Sequence, residues 1–89
     1  MLQLYLEGQF KKDLKLARKR RWNLDRLWSV VELLIAEQNL PLKCRPHKLS
    51  GDWANHWECH IASDWLMIYI IAGNQLRLVR TGTHSDLFE

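Results

Sequence analysis

Trp57-Glu58-Cys59-His60-Ile61, Ser63-Asp64, Leu66-Met67-Ile68-Tyr69-Ile70-Ile71, Gly73-Asn74 and Leu76-Arg77-Leu78-Val79-Arg80 follow one another in the second half of the chain. The first and last of the apolar runs alternate with polar residues at a period of two, and all are rich in β-branched or aromatic side chains, which is strand chemistry. Ser63-Asp64 and Gly73-Asn74 supply turn residues between them. Connections this short join antiparallel neighbours, so the segment reads as a three-stranded meander.

Working outward, Leu2, Leu4 and Leu6 alternate with Gln3, Tyr5 and Glu7, which predicts a further short strand ended by Gly8. From Phe10 the spacing becomes helical, with Phe10, Leu14 and Ala17 on one face and cations on the others. Asn23 is a good N-cap, Asp25 suits the first turn, and Leu24, Leu27, Trp28, Val31, Leu34 and Ile35 recur at helical spacing until Asn39 and Pro41 close the element. The expected architecture is α+β. It is one small domain over residues 1–89, with an N-terminal strand, a two-helix hairpin and the meander, and the helices lie on one sheet face.

At 89 residues, 47% hydrophobic and 26% charged, the chain has no room for a dinucleotide-binding fold or an α/β barrel. Its four glycines are isolated, so no phosphate-cradling loop exists. The longest apolar run, Trp65 to Ala72, is far below the roughly 20 residues that span a bilayer, so a cytoplasmic protein with no membrane partner is expected. Two cysteines, Cys44 and Cys59, do not make a disulfide scaffold and read as reduced thiols. The net charge is only +3, but Lys11, Lys12, Lys15, Arg18, Lys19, Arg20 and Arg21 concentrate seven of thirteen cations in one short segment against a single acid, Asp13. Such a face repels itself and fits a polyanion or an acidic protein.

Chemistry is best sought around the histidines His47, His56, His60 and His84, since imidazole alone changes charge near neutrality unaided. Glu58 and His60 leave the same strand face, Asp64 occupies the next turn, Trp65 and Trp53 flank this polar cluster, and Arg80 precedes Thr81-Gly82-Thr83-His84. RNA transesterification needs a base, an acid and a cation, and these residues include all three types. A single histidine near a strand end is more often a plain surface or hydrogen-bonded structural residue. Cys44-x-x-His47 and His56-x-x-Cys59, with His60 as a spare, also have the paired spacing of a small zinc-stabilised nucleic-acid-binding domain.

His47-Lys48-Leu49-Ser50-Gly51, Glu58-Cys59-His60-Ile61, Ser63-Asp64-Trp65-Leu66-Met67-Ile68-Tyr69 and Arg80-Thr81-Gly82-Thr83-His84-Ser85-Asp86-Leu87-Phe88 together resemble the YafQ family of RelE-type bacterial toxins. Phe10-Lys11-Lys12-Asp13-Leu14-Lys15 resembles its first helix. The resemblance implies a microbial ribonuclease-like fold and the toxin of a type II toxin–antitoxin pair, an endoribonuclease that cuts translated mRNA in the ribosomal A site. It implies an active site at His47, His60, Asp64, Arg80, His84 and Phe88, with no metal and a 2′,3′-cyclic phosphate product. The roles it suggests are His84 as acid, His47 or Asp64 as base, His60 as orienting group, Arg80 on the phosphate and Phe88 stacking on a nucleotide. Under this reading the basic helix docks on ribosomal RNA, a cognate antitoxin restrains the toxin, and DNA is met only through the toxin–antitoxin complex. A non-catalytic ribosome- or antitoxin-binding module of the same fold is the alternative. Asn55 stands where the family would favour glycine, and Asn tolerates the left-handed backbone that such a turn needs.

Overall fold

The computed structural model describes residues 1–88. Strand β1 (Gln3–Leu6) leads into helix α1 (Gly8–Lys19) and then helix α2 (Leu24–Ile35). After a short 3-10 turn come β2 (His47–Lys48), a second such turn, β3 (Trp57–Ala62), β4 (Trp65–Ala72), β5 (Gln75–Gly82) and helix α3 (His84–Phe88). The five strands form one sheet in the order β1-β5-β4-β3-β2. The expected meander is its centre, β1 joins β5 in parallel, and β2 joins β3 antiparallel.

Asn23 caps α2 as expected, its side chain accepting the Asp25 N–H at 3.1 Å. Both long helices end on a non-glycine residue in the left-handed region. Arg21 (φ 61°) lets the Trp22 N–H reach Ala17 O at 3.1 Å, and Glu37 (φ 58°) lets the Gln38 N–H reach Leu33 O at 2.9 Å. The stop of α2 is therefore this C-terminal turn, before Pro41 is reached.

Phe10, Leu27 and Val31 of the helices pack with Cys59, Ile61, Met67, Tyr69, Leu76 and Leu78 of the sheet to form the main core. The other sheet face is covered too, contrary to the expectation of helices on one face only. There Leu66, Ile68 and Leu87 form a second cluster, with Leu49, Trp53 and Val79 against it. Burial on both sides accounts for the unbroken apolar run of β4. A C-terminal helix of five residues and a strand of two carry too little periodicity to be read from sequence.

A register shift between β4 and β5 positions the site. Tyr69 faces Leu78 but Ile68 faces Arg80, so Val79 is one extra residue in β5. Without this bulge Arg80 would share the face of Leu76 and Leu78; with it, Arg80 joins the row His47, Glu58, Ile68 across the sheet. That row spans three strand spacings, roughly 14 Å. His60 lies two residues along β3, in the row of Leu66 and Gly82.

Candidate active site

His84 opens α3 directly after Thr83. Thr83 Oγ1 accepts the Asp86 N–H at 3.1 Å while Asp86 Oδ2 accepts the Thr83 N–H at 2.9 Å, a reciprocal cap that fixes the start of the helix. Arg20, at the end of α1, donates to both Asp86 oxygens at 2.6 and 3.1 Å and lies 5.0 Å from the Trp22 ring centroid. Gly82 is required beside this cap: a Cβ there would come within 2.8 Å of Asp86 Oδ2 and 2.9 Å of Asp86 Cβ. Arg20 is thus turned away from the cationic face assigned to RNA. The other six cations of that segment make no ion pair among the described residues.

The Arg20 guanidinium and the Thr83 N–H hold the Asp86 carboxyl well below the usual carboxylate range. A depressed folded value adds stability above the unfolded carboxylate pKa, near ~3.9, and loses it as pH falls toward the folded one. Thermal melts of Asp86→Asn should therefore show a lower midpoint than the native chain at pH 7 and a smaller decline between pH 4 and pH 2. An unchanged acid limb would separate Asp86 from acid sensitivity.

Asp64, in the β3–β4 turn, faces His84. Its Oδ1 accepts the His84 backbone N–H at 3.2 Å and lies 3.0 Å from His84 Nδ1, and these two bonds lower its pKa. A carboxylate only accepts, so Nδ1 carries a proton and Nε2 faces outward. The ring of His60 lies 6.3 Å from that of His84 and makes no hydrogen bond among the described residues, while Phe88 lies 6.2 Å from His84 and edge-on to Trp53 at 6.5 Å. His60, Asp64, His84 and Phe88 therefore gather at one end of the sheet.

His47 stands apart on the edge strand. Its Nδ1 donates to Arg45 O at 3.1 Å and its Nε2 lies 3.3 Å from Glu58 Oε1, whose side chain is only 6% exposed. Arg80 is drawn past the end of β1 to Asp13 of α1, donating from Nε at 2.8 Å and from one terminal nitrogen at 3.3 Å. Asp13 Oδ2 also accepts the Thr81 N–H at 3.1 Å, and Gln9 donates to Oδ1. This leaves the outer guanidinium nitrogen of Arg80 for an anion. Trp65 supports the site from within the core: it donates to Thr81 Oγ1 at 2.8 Å, and that hydroxyl donates to Leu66 O.

Asp13, Thr83 and Asp86 are the contributors that sequence reasoning missed, and Arg20, read as one of the RNA-facing cations, is bonded to Asp86 instead. Only Thr83-His84-Ser85-Asp86 carried a readable signal, the spacing of a capping box. The zinc pattern does not converge. Cys44 and Cys59 are buried in the main core, burial pushing the Cys59 thiol up to about 12, and His56 donates to Ala54 O and packs edge-on against Trp53. No group of three or more His, Cys, Asp or Glu is placed to hold a metal among the described residues. Asn55 adopts the left-handed conformation its position requires, at φ 69°.

A histidine oriented by a carboxylate stands near a second imidazole that has no hydrogen bond among the described residues, at one end of a small five-stranded sheet, an arrangement with the residue types of acid–base chemistry. Residues 2–89 match the family model described as the bacterial toxin of a type II toxin–antitoxin system, YafQ, and the chain belongs to that family. It is 41% identical over 83 residues to the mRNA interferase toxin YafQ of Escherichia coli K12, covering 91% of this chain and 89% of that one. The crystal structure of YafQ from E. coli BL21(DE3) superposes with a TM-score of 0.94 at 36% identity, covering all of both chains. A structure of the E. coli DinJ-YafQ toxin–antitoxin complex gives 0.91 at 37% identity, covering 99% and 98% of the two chains. A metal-bound toxin from Helicobacter pylori gives 0.93 at 41% identity, covering 99% and 100%.

Proposed function

We propose that this chain is an mRNA interferase: a toxin that cuts translated mRNA on the ribosome and is restrained by a cognate antitoxin. The observation that carries the reading is the Asp64–His84 pair, with its outward Nε2 beside the free ring of His60. Relatives named as mRNA interferases and a relative solved with its antitoxin support it. A toxin that acts on ribosomes works in the cytoplasm under this reading, and no helix among the described residues is long and apolar enough to cross a membrane. Any DNA contact belongs to the antitoxin complex, and residues 1–89 act as one domain.

The groups divide the work by what already occupies them. Asp64 accepts two N–H groups from His84 and has its pKa lowered, which makes it a poor proton acceptor and a good partner for an imidazolium. The base is then His47: its Nδ1–H is held on Arg45 O, and its Nε2, 3.3 Å from Glu58 Oε1, takes the 2′-hydroxyl proton once the substrate hydroxyl displaces that contact in the neutral ring, Glu58 then stabilising the cation formed. The 2′-oxygen attacks phosphorus, the bond to the 5′-oxygen breaks, and His84 Nε2 delivers its proton to that oxygen. Arg80 neutralises charge on the phosphoryl oxygens, His60 orients the phosphate and Phe88 stacks on a nucleotide. The products are a 2′,3′-cyclic phosphate and a 5′-hydroxyl, and no metal or other cofactor takes part. End analysis of RNA cut on ribosomes checks this chemistry, since 3′-hydroxyl and 5′-phosphate ends would contradict it.

The exposed cations of α1 would dock on ribosomal RNA. Reversing Lys11, Lys12 and Lys15 to Glu is expected to weaken ribosome binding more than about 10-fold at low salt and to flatten its log–log salt dependence by up to about 3. Sedimentation across a salt series measures both. An unchanged slope would remove this face from the contact.

A further inference from the structure

Between α2, the turn at 42–44 and β3 lies a trough of about 640 Å³. Strand β2 pairs only with Trp57 and Glu58, so the outer edge of β3 from Cys59 to Ala62 carries no strand, and the trough runs along it. Val30, Leu33 and Ile61 give it an apolar floor, and Arg26, Lys43 and Arg45 stand at its rim. None of these three cations has an ion-pair partner among the described residues.

A second depression of about 340 Å³ shares Arg26, Ala62 and Ser63 with the first and continues past Trp22 and Asn23 to Asp64. Trp22 is partly exposed there and braced by Trp65, its ring centroid 4.9 Å away. Among the described residues the only acid along either depression is Asp64, which His84 already engages. His60 lines the first depression and Asp64 the second, so whatever fills the trough lies against groups of the acid–base cluster.

We infer that this trough is the seat of the RNA strand next to the scissile phosphate, binding two or so nucleotides of single-stranded RNA through Arg26, Lys43 and Arg45. The inference rests on the RNA-cutting reading and extends it to a surface outside the residues assigned to chemistry. Unpaired cations around an apolar floor, with an aromatic ring partway along, are what an unstacked single strand requires: charge for its phosphates and flat surface for its bases. An extended peptide could use the open strand edge, but three unpaired cations with no free acid opposite them favour a polyanion.

The test is a titration of the ¹⁵N-labelled protein with a 2′-O-methyl hexaribonucleotide, which cannot undergo transesterification. The expected amide shifts cluster at Arg26, Lys43, Arg45, Ala62 and Ser63 together with His60 and His84. Arg26→Glu combined with Arg45→Glu should weaken the oligonucleotide Kd at least tenfold with an unchanged melting temperature. Shifts confined to α1, or full affinity in the double variant, would overturn the inference. So would a double variant that keeps the oligonucleotide and loses the antitoxin, which would make the trough a peptide site. Trough shifts from a protein that cuts no mRNA would support the inference while overturning the enzymatic reading.

Discussion

His84→Gln lowers cleavage of ribosome-bound mRNA by about 10²- to 10⁴-fold, the range contributed by one positioned proton donor. Glutamine can still donate an N–H to Asp64, so the geometry of α3 is kept, but an amide has no proton to give a leaving 5′-oxygen. The His84 side chain is 57% exposed and fills no core space, so the stability should stay within about 0.5 kcal/mol of native. Single-turnover rates on programmed ribosomes, read beside a thermal melt, separate the two quantities. Native-like cleavage by a folded variant would remove His84 from the chemistry.

The largest effect on stability is expected at Asp13. Its side chain is 8% exposed and accepts from Arg80, from the Thr81 N–H beyond the reach of β1, and from Gln9. Asp13→Ala strands a guanidinium and a buried N–H together, a loss of about 2–4 kcal/mol. At 89 residues this corresponds to a fall in Tm of roughly 10–20 °C. Arg80 would also lose its anchor, so cleavage should drop at temperatures where the variant is still folded. A melt displaced by only a degree or two would show that Arg80 and Thr81 find other partners.

These two residues mark what the sequence could and could not convey. The meander was legible because its strands are long, alternating or fully apolar, and bounded by Ser63-Asp64 and Gly73-Asn74. His84 and Asp64 could be singled out by residue type, and the family resemblance placed them together. Asp13 could not, because on paper it is the one acid of a cationic helix, and its role depends on a bulge at Val79 that no periodicity announces. Arg20 was grouped with its basic neighbours for a similar reason: its partner Asp86 lies 66 residues away, on a helix too short to predict.

The expectation of helices on one sheet face only failed for a related cause. Leu87 alone from α3, aided by Leu49 and Trp53 from irregular segments, closes it, and isolated apolar residues in loops carry no pattern. That closure places Phe88 beside His84 and Trp53.

The most direct measurement is cleavage mapping of one defined mRNA by the purified protein, on programmed ribosomes, as naked RNA, and with the His84→Gln variant alongside. The predicted result is cuts at codon positions that require ribosomes and disappear with His84→Gln. Cuts on naked RNA, cuts that survive the substitution, or translational arrest with no cuts at all would each contradict a ribosome-dependent nuclease working through the Asp64–His84 pair.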